Sequence, residues 1–326
     1  MREKIINQFE LYPIIHKILS IILLFRIRKR IIEFFPINTR IRNFLTILLS
    51  NKFPVFLEYE VIAKTRYQET NGVHPELNSI IGQNRTRYEM ILTSFLKYAD
   101  NFQQISKVTS EITTEPIWHQ YMLPPLDAVA IYSFLAEKKP KICIEVGSGN
   151  STMFARRSIK DNNLDTKIIS IDPCPRRDID SICDISIRSS LSDIKLDLFE
   201  QLKSGDMLLI DNSHYTFMSS DVTVFFMEIL PRLAKGVIVQ IHDIFLPRDY
   251  PSNWGTRWYA EQYLLATLLI ANNNKLKILL PNNFIHHEND LRTIVEPLWK
   301  HLELSRNEVN GLEDGTGPAG FWFETT

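Results

Sequence analysis

Cysteine is scarce in this chain. Only Cys143, Cys174 and Cys183 occur, without C-x-x-C spacing, which argues against a disulfide framework and against a thiolate zinc site. Reduced thiols in a cytoplasmic protein are the simplest account, and Cys143 reads as a small core residue. Net charge is nearly absent: 37 Lys and Arg against 38 Asp and Glu leave −1, so the whole chain exerts no attraction on nucleic acid. Near the start, the apolar stretch Tyr12 to Phe25 is interrupted by His16 and Lys17, and the run after them is too short to span a bilayer. It also lacks the small-residue cleavage site of a signal peptide. Internal repeats and low-complexity tracts are missing. What is present is 326 residues, 44% of them hydrophobic, enough for one large core and an additional subdomain.

The stretch Ile142-Cys-Ile-Glu-Val-Gly-Ser-Gly-Asn-Ser-Thr152 reads as a buried strand, a glycine turn and a helix. Apolar residues at 142, 144 and 146 make the strand, and Glu145 places a carboxylate near its end. Gly147 and Gly149 let the backbone turn sharply and approach a ligand. A helix from Met153 to Lys160, capped by Ser151 or Thr152, would present its positive end to the same crevice. A dinucleotide fingerprint needs a third glycine, which this segment lacks.

The next strand, Lys167 to Pro173, carries Asp172 at its end, where a carboxylate can hold both hydroxyls of an adenosine ribose. Further strands are expected at Ser186 to Arg188, Met207 to Asp211, Val237 to Asp243, Leu276 to Leu280 and Gly320 to Glu324, with helical segments such as Met218 to Leu233 and Asp290 to Leu302 between them. All-apolar strands of this kind imply a mostly parallel sheet buried on both faces, with its ligand beyond the carboxyl ends of the strands. Glu145, Asp172, Asp211 and the His242-Asp243 pair all fall at those ends.

The acid-x-Gly-x-Gly turn, Asp172 and the late aromatic strand together resemble class I S-adenosylmethionine-dependent methyltransferases, over residues 118 to 326. The strings Leu209-Ile-Asp-Asn-Ser-His-Tyr215 and Ile241-His-Asp-Ile-Phe-Leu-Pro247 are similar to a bacterial methyltransferase family often associated with sugar and cell-surface polysaccharide genes. The resemblance implies a Rossmann-like α/β fold, a seven-stranded mostly parallel sheet with an antiparallel last strand, and S-adenosylmethionine as donor. It implies cofactor binding by Glu145, Gly147, Ser148, Gly149, Asp172, Leu191, Ser192 and Asp211, and an acceptor oxygen on a sugar or glycan. Trp118 to Asp127 resembles the family's entry segment into a helix from Ala128 to Lys138, with Pro125 suited to a first turn and Gln120 and Tyr121 as candidate contacts.

Transfer to a hydroxyl needs alignment and a proton acceptor. Asp211, His214 and His242 are the catalytic candidates, histidine near its ordinary pKa being the natural base at neutral pH. Asp211, Asp243 and His242 could instead hold a divalent ion, their mixed ligand set suiting a transition metal better than magnesium. An oxidoreductase or hydroxylase on a methyltransferase-like fold is the alternative enzyme, and a noncatalytic membrane-associated scaffold the alternative of another class.

The first fifty residues carry nine Lys or Arg against three Glu, a net +6 that leaves −7 for the rest. Residues 12–35 could lie peripherally on an anionic membrane surface, at the inner face, or form an amphipathic helix packed on the catalytic domain. A second helix is expected from Thr39 to Ser50, and another from Thr86 to Asp100 with Tyr88, Ile91, Phe95 and Tyr98 on one side. Residues 1–117 are thus expected to form a helical, partly basic cap over the substrate crevice, and residues 118–326 the donor-binding domain.

Overall fold

Strands β1 (Ile142–Val146), β4 (Met207–Ile210) and β5 (Ile238–Ile241) are buried almost end to end in the computed structural model, as their mostly apolar sequences demand. The structure describes residues 58–326 apart from 60, 63, 69–71, 109–113, 121, 272–275 and 311–316. The expected helices within residues 12–50 lie outside the described residues, as does Tyr121.

With β2 (Lys167–Ile171), β3 (Ile185–Ile187), β6 (Leu276–Pro281) and β7 (Phe321–Thr325), the strands form one sheet in the order β3-β2-β1-β4-β5-β7-β6. All neighbours pair in parallel except β7, which runs antiparallel between β5 and β6. The expected architecture is therefore present, with the last strand inserted inside the sheet. The chain leaves β1 toward β2 on one side and returns to β4 on the other, so the crevice of this topology opens at the carboxyl ends of β1 and β4.

Three aromatic residues anchor the insertion. Phe321, Trp322 and Phe323 are almost fully buried, and the Trp322 ring lies 4.4 Å from that of Phe134 on the helix Pro125–Lys138. That helix begins with Pro125 in its first turn, where a missing N–H costs nothing. Asp127, one turn in, is 1% exposed. Its carboxylate accepts from the backbone of Ala319 and Gly320 and from Asn282 Nδ2, at 2.9, 2.8 and 2.7 Å.

Several elements depart from the sequence reading. The helix after Gly149 starts at Asn150, because Thr152 lies inside its first turn and its hydroxyl accepts from the Gly149 N–H at 2.9 Å. The segment expected as one helix from Met218 starts at Asp221, capped by Ser220, and passes through a wider π turn before a tight turn containing Pro231. Asp290 to Leu302 divides at Val295 into Asn289–Ile294 and Glu296–His301, the second opening on Pro297.

The helix Arg85–Phe95 continues through a tight turn into Ala99–Gln103. It buries Tyr88 and Phe95 as expected, but against the sheet and not over the crevice. Arg87 Nη1 donates to Ile278 O of β6 at 3.0 Å, and the Phe95 ring meets Phe134 edge-on at 5.7 Å. Leu77, Ile81, Leu92 and Phe102 join the same core. The compact unit accordingly runs from Ala63 to Thr326, and no gap between bodies falls at residue 117. Part of this region does reach the crevice side: Asp249 Oδ2 accepts from the Tyr67 N–H at 2.9 Å, and the His74 N–H donates to Pro247 O at 2.9 Å.

Candidate active site

The turn after β1 is built around a contact that only glycine permits. Gly147 has φ +77°, and a Cβ there would stand 1.7 Å from Asp211 O. The Gly147 N–H donates to Ile171 O and the Asp211 N–H to Val146 O, at 2.9 and 2.8 Å, locking the turn between β2 and β4. A Cβ on Gly149 would meet open space. Glu145 is 2% exposed. Its Oε2 accepts from the Thr152 hydroxyl, while Oε1 is buried with no hydrogen-bond partner. Burial pushes its carboxyl up to about 7, against the opposing pull of the Ser151 and Thr152 hydroxyls.

Asp172 follows β2 directly. One oxygen accepts from the Ser148 N–H at 2.9 Å and the other from the Cys174 N–H at 2.8 Å, so the second strand end and the glycine turn share a carboxylate. Ser148 Oγ lies 2.8 Å from Ser170 Oγ. Arg188, at the end of β3, donates to Asp172 O at 3.1 Å and pairs with Asp180. Leu191 is buried and Ser192 exposed on the tight turn that follows β3.

At the ends of β4 and β5, acids and histidines converge. His214 Nε2 lies 3.4 Å from Asp211 Oδ1 and 3.5 Å from Asp243 Oδ2, and its Nδ1 lies 2.9 Å from Glu261 Oε2. His242 Nδ1 is 3.1 Å from Asp243 Oδ1 and 3.7 Å from Asp211 Oδ1, and its Nε2 faces Asp127 Oδ2 at 3.7 Å. Both histidines are buried, whereas 45% of the Asp211 side chain is exposed. His214 and Asp243 hold left-handed backbone, φ +61° and +55°, a strain that the surrounding contacts sustain.

Residues 144–244, from β1 to just past β5, match the family model described as a methyltransferase domain. The chain carries a methyltransferase domain. An O-methyltransferase from Bacillus cereus in complex with S-adenosylhomocysteine (SAH) is similar over 77% of this chain and 99% of its own, with 11% identity and a TM-score of 0.35. An SAH-bound methyltransferase from Podospora anserina is similar over 57% of this chain and 82% of its own, with 13% identity and a TM-score of 0.33. Likeness of this degree assigns neither substrate nor residue roles. No curated protein matches the chain.

Within the methyltransferase domain the histidines differ from the expectation of bases near their ordinary pKa. Burial pulls His242 down, but the charges of Asp211 and Asp243, the hydrogen bond to Asp243 and the charge of Asp127 outweigh it and push the imidazole up to about 10. His214 also rises well above the ordinary value, its burial outweighed by hydrogen bonds to Asp211 and Glu261 and the charges of Asp243 and Glu261. Burial would raise Asp243, yet His242, His214 and Arg257 hold it low. The surrounding carboxylates thus favour the charged form of both imidazoles. Among the described residues no group of three or more His, Cys, Asp or Glu is placed to hold a metal ion. The expected ligation by Asp211, Asp243 and His242 does not fit.

Sequence reasoning missed Glu261 and Asp127. Glu261 opens the helix Glu261–Ile270, is fully buried, and accepts from Asn212 Nδ2 at 2.9 Å as well as facing His214. Each lies in an apolar helical stretch, and a carboxylate there was the only available signal. Gln120 is buried too, its Oε1 accepting from Asn150 Nδ2 at 2.8 Å and from the backbone of Met122 and Leu123.

Proposed function

We propose that the chain uses S-adenosylmethionine to methylate an oxygen of a sugar or glycan intermediate. The carrying observation is the meeting, across β1 and β4, of a glycine turn with a buried unpartnered Glu145 oxygen and a half-exposed Asp211 backed by two imidazoles. Three features of the turn suit the donor. Glu145 Oε1 can accept from an ammonium group, the missing Gly149 side chain leaves room, and Asp172 ends β2 where ribose hydroxyls would be held. Glu145, Gly147, Ser148 and Gly149 would hold the methionyl part, Asp172 the ribose, and Leu191 and Ser192 the adenine. The bound donor supplies an electrophilic methyl carbon on a sulfonium.

Everything else falls to the chain. As the acceptor oxygen bonds to the methyl carbon and the carbon–sulfur bond breaks, the hydroxyl proton must leave. Asp211 is the exposed member of the cluster and takes that proton. His214 and His242 lie beside its carboxylate and position it, and their charged forms offset the negative charge around it. The sugar assignment is supported by the family resemblance of residues 209–215 and 241–247.

Calorimetry with SAH tests the donor. Wild-type protein is expected to bind, and Asp172→Ala to bind at least about tenfold more weakly, a loss near 1.4 kcal/mol. An unaffected Asp172→Ala variant, or a wild type that does not bind, sinks the donor assignment. Asp211→Asn is expected to melt like the wild type and to lose transfer to a panel of methyl glycosides.

A further inference from the structure

A track of aromatic rings leads from the acid and histidine cluster to solvent. Tyr259 lies against the His214 ring, centroids 4.5 Å apart. Tyr215 meets Tyr259 edge-on at 5.8 Å, and Phe217 stacks on Tyr215 at 5.5 Å with 14° between the planes. Two loops supply these rings, tied where the Ala260 N–H donates to His214 O at 2.9 Å. Along the track exposure climbs from 4% at His214 to 45% at Phe217.

The fold of the loop makes no demand for a phenyl ring at its tip. Ser213 donates its N–H to Asp221 Oδ2 at 2.8 Å, the Phe217 N–H reaches Ser220 Oγ at 3.3 Å, and the Thr223 hydroxyl donates to Phe217 O at 3.1 Å. Backbone and small polar side chains hold the conformation, leaving the Phe217 ring facing water beside a reactive cluster. An exposed apolar surface in that position, next to a few convergent polar groups, is the composition of a ligand subsite. Asp211 at its inner end accepts from hydroxyls.

We infer that Tyr215, Phe217 and Tyr259 form the acceptor subsite and that it takes a hydroxylated ring with an apolar face. The ring lies along the Tyr215 and Phe217 stack while one of its hydroxyls reaches Asp211. This rests on the reading of the cluster as the place of transfer to oxygen. A pyranoside and a phenol share this chemistry.

Saturation-transfer NMR and calorimetry on the full chain, with and without SAH, distinguish the sources. One arm uses methyl glucoside, mannoside and rhamnoside, the other catechol. At least one ring is expected to bind, and Phe217→Ala and Tyr215→Ala each to weaken it roughly fivefold to tenfold. Unchanged melting and SAH affinity in both variants would show that the fold and donor site are intact. Binding in the pyranoside arm identifies a sugar acceptor, binding in the catechol arm a phenolic one. Absence of binding in both arms, or equal ring affinity in wild type and variants, overturns the subsite. Failure of the wild type to bind SAH would count against the donor assignment alone, since the rings are also titrated without it.

Discussion

Gly147 and Gly149 sit two positions apart and lack a side chain for opposite reasons. At 147 the left-handed φ and the Asp211 carbonyl exclude a Cβ, so Gly147→Ala should cost roughly 3 kcal/mol or more in urea unfolding. At 149 the protein leaves space. Gly149→Ala should therefore leave stability within about 0.5 kcal/mol of wild type while weakening SAH binding measured by calorimetry. The buried histidines carry a pH signature. His242 rises from an ordinary 6.5 to about 10 on folding, so its stabilising contribution is complete below pH 6.5 and lost as pH climbs through about 10. His242→Gln should flatten the fall in melting temperature across that window, and an unchanged slope would contradict the pairing. The places of Glu145, Asp172 and Asp211 at or just after strand ends were legible in the sequence because the apolar runs announce those ends. Glu261 was not, since its partner His214 is 47 positions away and nothing local marks a helix-opening acid as buried.

Elements show the same division between local and long-range information. Strand positions emerged from apolar runs because a sheet covered on both faces tolerates little else. Helix boundaries were misread wherever a single side chain decided them: Thr152 turning inward to Glu145, Ser220 capping Thr223, Pro297 opening a second helix. The antiparallel place of β7 beside β6 was legible only through the family resemblance, since strand order depends on contacts between residues far apart. Trp322, fully buried against Phe134, holds β7 in place, and Trp322→Ala should lower stability by about 3–5 kcal/mol. Asp127 joins the helix Pro125–Lys138 to the start of the same strand through the Ala319 and Gly320 amides. Asp127→Ala strands those donors in the interior and should cost about 3–5 kcal/mol, read from the urea midpoint at constant slope.

For the whole molecule, composition bounded the size of the core but not where its unit begins. The helices at 75–103 looked separable because their apolar faces are visible in the sequence while the surface they cover is not. Leu77, Ile81, Tyr88, Leu92, Phe95 and Phe102 contribute to the shared core, and losing six such side chains removes roughly 10 kcal/mol of burial, comparable with the entire stability of many domains, about 5–15 kcal/mol. A fragment from Ala63 should melt cooperatively and bind SAH, whereas one from Trp118 should not fold, as circular dichroism and light scattering would show. The close approach of Gly147 to the Asp211 carbonyl has one more consequence. The floor of the donor crevice and the backbone of the proton-accepting residue are the same few atoms, so neither ligand can settle without the other registering it. Ring affinity measured with SAH bound should differ from that measured without it, and SAH affinity should change by the same factor when the ring is bound, because a coupling free energy has one value from either direction.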